Sequence, residues 1–78
     1  MNILLTDYVK LKSKKNGKEY LKYYMLVDKR LLYTGFSEYD EMLESFLSNN
    51  LNENIGEYVQ FNYNDNIKGF VPYVKYKL

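Results

Sequence analysis

Asn16-Gly17 lies between two stretches in which apolar residues recur at every second position. Asn-Gly is a strong hairpin signal, because both residue types tolerate positive φ. Upstream, Ile3, Leu5, Val9 and Leu11 share one parity, interrupted by Asp7, while Tyr8, Lys10 and Lys12 share the other. Downstream, Leu21, Tyr23, Met25 and Val27 take the inner parity, and Tyr20, Lys22 and Tyr24 the outer one. A period of two predicts half-buried strands over 2–12 and 19–27. Asp28-Lys29 predicts a tight turn into a third strand from Arg30 to Phe36. There the adjacent Leu31 and Leu32 leave the parity, and the direction of Tyr33, open.

The period then changes. Tyr39, Met42, Leu43, Phe46 and Leu47 follow helical spacing and predict one apolar helix face. Ser37 is the expected N-cap, with Asp40 three residues on, and Glu38, Asp40 and Glu41 favour the positive end of the helix dipole. The Asn-rich stretch 48–56 reads as a loop closed by Gly56. Val59, Phe61 and Tyr63 then alternate, predicting a strand over 57–63. Asn64-Asp65-Asn66 predicts a turn, and a last strand follows over 67–77. Gly69 is expected to mark a bulge there, and Pro72 an edge position or an interrupted ladder. Tyr23, Tyr63, Tyr76, Val59, Phe61, Phe70 and Val74 are assigned to the core. The expectation is one mostly β domain over residues 1–78, in the order β-β-β-α-β-β.

Composition narrows the function. The chain has neither Cys nor His, so it lacks the best nucleophile, the commonest general base, disulfides and thiolate metal sites. No catalytic residue, cofactor or metal is assigned. Asp40 and Glu44 share a helix face, but oxygen-only cation sites need several more ligands. No apolar run approaches the roughly 20 residues of a membrane span, and Met1 to Leu5 lack the basic start of a signal peptide. A cytoplasmic protein without membrane association is expected.

Charge is segregated along the chain. Residues 1–35 carry eight basic and three acidic groups, whereas residues 36–57 carry six acidic groups and no basic one. One part of the folded surface is therefore expected to be positive and another negative.

The element order, the lysine-rich first hairpin from Lys10 to Tyr24 and the last hairpin from Gly56 to Tyr76 resemble the small OB-fold single-stranded-DNA-binding proteins of phages and mobile elements. The filamentous-phage gene V protein is a distant comparison, from which the helix between the strands departs. The resemblance implies a five-stranded OB-like barrel with the helix between strands three and four. An SH3-like barrel and a twisted sheet packed on one helix compete with it. The resemblance also implies a site on the face of strands two and three, flanked by loops 13–18 and 64–68. There Lys14, Lys15 and Lys18, with Asn64, Asn66 and Lys68, would meet phosphates. Tyr20, Lys22 and Tyr24 would face bases, with Lys10 and Lys12 beside them, and Tyr33 and Tyr73 would be further stacking candidates. Each also has a bland reading: turn lysines aid solubility, lysines on edge strands block aggregation, and cross-strand tyrosines stabilise sheets.

Two functions follow. The first is non-enzymatic, sequence-tolerant binding of single-stranded nucleic acid, expected to be DNA, by a dimer or other homo-oligomer serving DNA replication in a phage or mobile element. The second is a protein-interaction module, such as a phage-type inhibitor or accessory factor. It would meet a basic protein partner through the acidic helix 37–49 or use an open sheet edge.

Overall fold

The computed structural model describes residues 1–76. Strands β1 (Ile3–Lys12), β2 (Glu19–Val27) and β3 (Leu31–Glu38) precede helix α1 (Glu41–Asn49), and β4 (Val59–Asn64) and β5 (Gly69–Val74) follow it. The strands form two antiparallel sheets, one ordered β1-β2-β3 and the other β4-β5. No helix among the described residues is long and apolar enough to cross a membrane.

The first hairpin turns at Asn16-Gly17, although only Gly17 takes a positive φ, +71°. The Asn16 side chain instead accepts the Lys18 N–H at 2.9 Å, and Ser13 N–H reaches Lys18 O at 2.8 Å to close the loop. The second turn is tighter. Asp28 (φ 50°) and Lys29 (φ 62°) are both left-handed, matching the right-handed twist of the strands they join. Asp28 is held against the N-terminus by its own N–H to Asn2 O, 2.8 Å, and by its carboxylate to Asn2 N–H, 3.2 Å. Arg30 adds one residue, so Val27 faces Leu31. Pairing across β2 and β3 therefore joins residues of like parity. Tyr33 follows Met25 inward and Phe36 follows Lys22 outward, which resolves the parity left open by Leu31 and Leu32.

Ile3, Leu5, Leu21, Tyr23, Met25 and Val27 form one wall of the core, and Leu43, Leu47, Ile55 and Val74 close over it. The segment 52–55 runs along the outer edge of β1, bonding Asn52 N–H to Leu5 O (2.7 Å), Leu5 N–H to Glu53 O (3.1 Å) and Ile55 N–H to Ile3 O (2.8 Å). Tyr23 links the two sheets. Its ring lies across Gly35, where a Cβ would stand 2.2 Å from it and 2.8 Å from Pro72 O. Its hydroxyl shares a 2.7 Å hydrogen bond with Ser37 and accepts Val74 N–H at 3.2 Å. Gly35 beside Pro72 and Ser37 beside Val74 mean that β5 advances alongside β3 in the same direction. No hydrogen-bonded ladder joins these strands among the described residues, and Pro72, buried at their junction, has no N–H to donate.

Several expectations change. Ser37 stays in β3 with its hydroxyl on Tyr23, so Asp40 caps α1 instead, accepting Met42 N–H at 2.8 Å. Met42 is 70% exposed, leaving the apolar helix face to Leu43 and Leu47, with Phe46 half-buried against Tyr58. Gly69 pairs with Asn64 in a regular register, without a bulge. Tyr63 and Phe70, placed in the core from sequence, are exposed and pack edge to face on each other, 5.4 Å between centroids. The pair lies at the turn end of the β4–β5 hairpin, where no second layer covers it among the described residues. The last strand ends at Val74, and position 77 of its expected range lies outside the described residues.

Candidate nucleic-acid interface

Thr6 sets the composition of this surface. Leu5 pairs with Met25 and Asp7 with Tyr24, so Thr6 is an extra residue in the ladder, a β-bulge. Its hydroxyl donates to Tyr24 O at 3.1 Å. Unbroken alternation would aim Asp7 into the core, where a carboxylate without partners is strongly disfavoured. The bulge turns Asp7 outward, and Tyr8 takes the inner place opposite Tyr23.

Every side chain beyond the bulge changes face. Val9 and Leu11 lie outward, opposite Lys22 and Tyr20, and Lys10 and Lys12 lie inward, opposite Leu21 and Glu19. Lys10 Nζ sits 3.6 Å from Glu19 Oε2 and 4.8 Å from the centroid of the Tyr39 ring. This corrects the expected lysine–tyrosine face, since Lys10 and Lys12 are on the opposite side of the sheet from Tyr20, Lys22 and Tyr24. Tyr33 is also unavailable for stacking, because it faces inward edge to face with Phe61, 5.3 Å between centroids.

The outer face of β1-β2-β3 is left mostly aromatic and apolar. Lys22 Nζ lies 5.3 Å from the Tyr24 ring centroid and 5.7 Å from that of Phe36. Phe36 in turn lies 5.9 Å from Tyr20 and is 52% exposed. These three rings and one ammonium form a continuous patch with no layer above it among the described residues. Val9, Leu11 and Leu32 extend it. Phe36 had no assigned role from sequence. An outward position for it requires the like-parity pairing imposed by Arg30. Asp7, beside Tyr24, and Glu38, beside Tyr20, are the acidic groups on the face.

The cationic groups stand at the ends of the patch. Lys14, Lys15 and Lys18 are exposed in the first hairpin loop, next to Tyr20 and Leu11. Lys29 and Arg30 are exposed at the other end, where β3 begins. The 65–68 turn lies toward that same end, because β5 advances with β3. It carries Lys68, held at φ 57°, and is ordered by Asn64 Oδ1, which accepts Asn66 N–H at 2.9 Å. Tyr73 is 41% exposed but belongs to β5, lining a cleft with Tyr76 and the start of α1.

The acidic region is internally bonded. Tyr39 donates to Glu44 Oε1 at 2.9 Å, a bond that pushes the Tyr39 phenol above its ordinary pKa. Tyr76 donates to Asp40, which raises the Tyr76 pKa in the same way. Burial raises that of Tyr23, against the opposing effect of its bonds to Ser37 and Val74. Asp40 and Glu44, the pair sharing a helix face, are thus committed to a cap and to tyrosine hydroxyls. No group of three or more carboxylates converges among the described residues. Compared with known proteins, the chain matches no family model, no curated protein and no solved structure.

Proposed function

We propose that this protein binds single-stranded nucleic acid, non-enzymatically and with little sequence preference, on the outer face of its three-stranded sheet. The observation that carries this reading is the patch of Tyr20, Tyr24 and Phe36 around Lys22, open to solvent and bracketed by lysines at both ends. Rings on a sheet offer stacking platforms that accept any base, and cations at the rims follow the phosphates. The strand neighbours support an OB-like relationship: β1, β2 and β3 in sequence, then β5 alongside β3, then β4. Flat, unpaired bases fit an open face where a duplex would present only its phosphates. DNA in a reducing cytoplasm is the ligand in this reading, consistent with a chain free of cysteine.

The test is fluorescence anisotropy of a labelled oligo-dT over a salt series. Binding should weaken with salt in proportion to the phosphates contacted. Phe36→Ala or Tyr20→Ala should each lose about 1–3 kcal/mol of binding. Lys14→Ala with Lys15→Ala should flatten the salt slope. Lys10→Ala with Lys12→Ala, on the opposite face, should leave the ring-dependent affinity intact. Equal losses from Lys10 and Phe36 variants, or no binding at low salt by the folded protein, would refute the assignment.

A further inference from the structure

The same bulge leaves one edge of the sheet half covered. Segment 52–55 occupies the outer edge of β1 only as far as Leu5. From Asp7 to Lys12 the strand has β2 on one side and no ladder partner on the other among the described residues. In an antiparallel ladder successive residues point their N–H and C=O groups alternately to the two sides. Leu5 and Ile3 bond outward, to 52–55. Beyond the extra residue at Thr6 this phase shifts, so Tyr8, Lys10 and Lys12 present the outward groups.

We propose that this edge pairs, antiparallel, with the same edge of a second copy of the chain, about a two-fold axis through Val9. A perpendicular two-fold keeps each face on its own side, so only residues of like parity can meet. Centring on Lys10 would set two ammonium groups opposite each other, which is destabilising. Centring on Val9 makes Val9 its own partner, with Leu11 meeting Asp7 on the outer face. On the inner face it sets Lys10 of each copy against the other's Tyr8, an ammonium beside a ring. Tyr8 and Lys10 would exchange backbone hydrogen bonds across the axis, the Tyr8 N–H, which now donates to Asp7 Oδ1 at 2.8 Å, turning to Lys10 O of the second copy. The coverage by 52–55 sets the limit of the ladder, because the partner's hairpin turn begins where Leu5 is already occupied. The two outer faces become one six-stranded surface, with Val9 and Leu11 at its centre. The proposal does not depend on nucleic-acid binding, and its test uses none.

The absence of cysteine makes single-cysteine variants clean probes. In this register the two Val9 Cα atoms form a non-hydrogen-bonded pair about 4.5 Å apart, within the span of a disulfide. Val9→Cys should therefore oxidise rapidly to a covalent dimer, and Leu11→Cys, which faces position 7, should not. The double variant Asp7→Cys with Leu11→Cys should also crosslink between copies. Light scattering on the unsubstituted chain should give twice its 9.4 kDa mass, and circular dichroism checks that the variants are folded. A monomeric mass at every concentration tested, or faster crosslinking through Leu11→Cys than through Val9→Cys, overturns the proposal.

Discussion

The two halves of β1 read alike in sequence and behave oppositely in the fold. Ile3 and Leu5 are buried, with β2 on one side and segment 52–55 on the other. Val9 and Leu11 continue the same parity but lie on the outer face, each 37% exposed. Their half of the strand has no second ladder partner among the described residues. The residue between the halves is Thr6. One extra residue, placed where a carboxylate would otherwise enter the core, ends the structural half of the strand and begins the half that forms a surface. The lesson concerns binary patterning. An alternating stretch names two faces, and a single bulge exchanges them without altering any other residue.

The comparison is sharpest when the two halves are truncated separately. Leu5→Ala should destabilise the protein by about 2–5 kcal/mol, as cavities in packed cores do. Leu11→Ala should shift stability by about 0.5 kcal/mol or less, and urea unfolding of the pair measures the difference. Similar losses from both would mean that the outer face is buried in solution, within one copy or by a second copy stacked on it, and not left open as edge-to-edge pairing leaves it. Repeating the measurement at concentrations where the chain is monomeric separates the two cases.

The next effect tests the residue opposite the bulged half, Tyr23. Tyr23→Phe keeps the ring over Gly35 but strips the buried Val74 N–H of its acceptor, a loss of about 1–3 kcal/mol. The variant also reports on pH. The folded state raises the Tyr23 pKa, so it holds the phenolic proton more tightly than the unfolded chain does. Its contribution is complete below the ordinary tyrosine value of about 10 and is lost as pH rises through the folded value. The stability gap between the unsubstituted chain and the Tyr23→Phe variant should therefore narrow above that pH in chemical denaturation. A gap constant into strong alkali would show that the phenol is not held protonated by the fold. Tyr39 and Tyr76 shift in the same direction and should leave both chains some shared alkaline sensitivity.

The smallest effect probes the bulge itself. Thr6→Val removes the hydroxyl bond to Tyr24 O and keeps the shape of the side chain. It should cost about 0.5–1.5 kcal/mol and leave Lys10 and Lys12 on their present face. Cross-strand nuclear Overhauser effects between Tyr8 and Tyr23 would confirm that placement. Their loss, with new contacts between Tyr8 and Lys22 and between Lys10 and Tyr20, would show that the hydroxyl and not the exclusion of Asp7 holds the register.

The parts of the molecule legible in sequence are those whose cause is local. The order of elements follows from period two, then period 3.6, then period two again. The inner parity of β2 holds throughout, since Leu21, Tyr23, Met25 and Val27 are all buried. Both turns of the three-stranded sheet fall where Asn16-Gly17 and Asp28-Lys29 place them. Tyr20, Lys22 and Tyr24 face outward, as their alternation implies. The sequence even carries a mark of the bulge, because Asp7 sits on an apolar parity beside an aromatic residue that can replace it.

Tertiary structure alone decided the rest. Ser37 is a good helix cap by type, but the hydroxyl of Tyr23 lies beside it only once β2 and β3 have paired. Tyr33 turns inward, and Phe36 outward, because Arg30 displaces the register by one. Lys10 and Lys12 leave the tyrosine face because Asp7 is disfavoured in a core that distant residues build. For Ser37 and Asp7 the deciding partners lie many residues away, and for Tyr33 and Phe36 the turn at Arg30 acts only through the pairing of β3 with β2. A local pattern states which side chains share a face, and the packing of the whole chain decides which face that is.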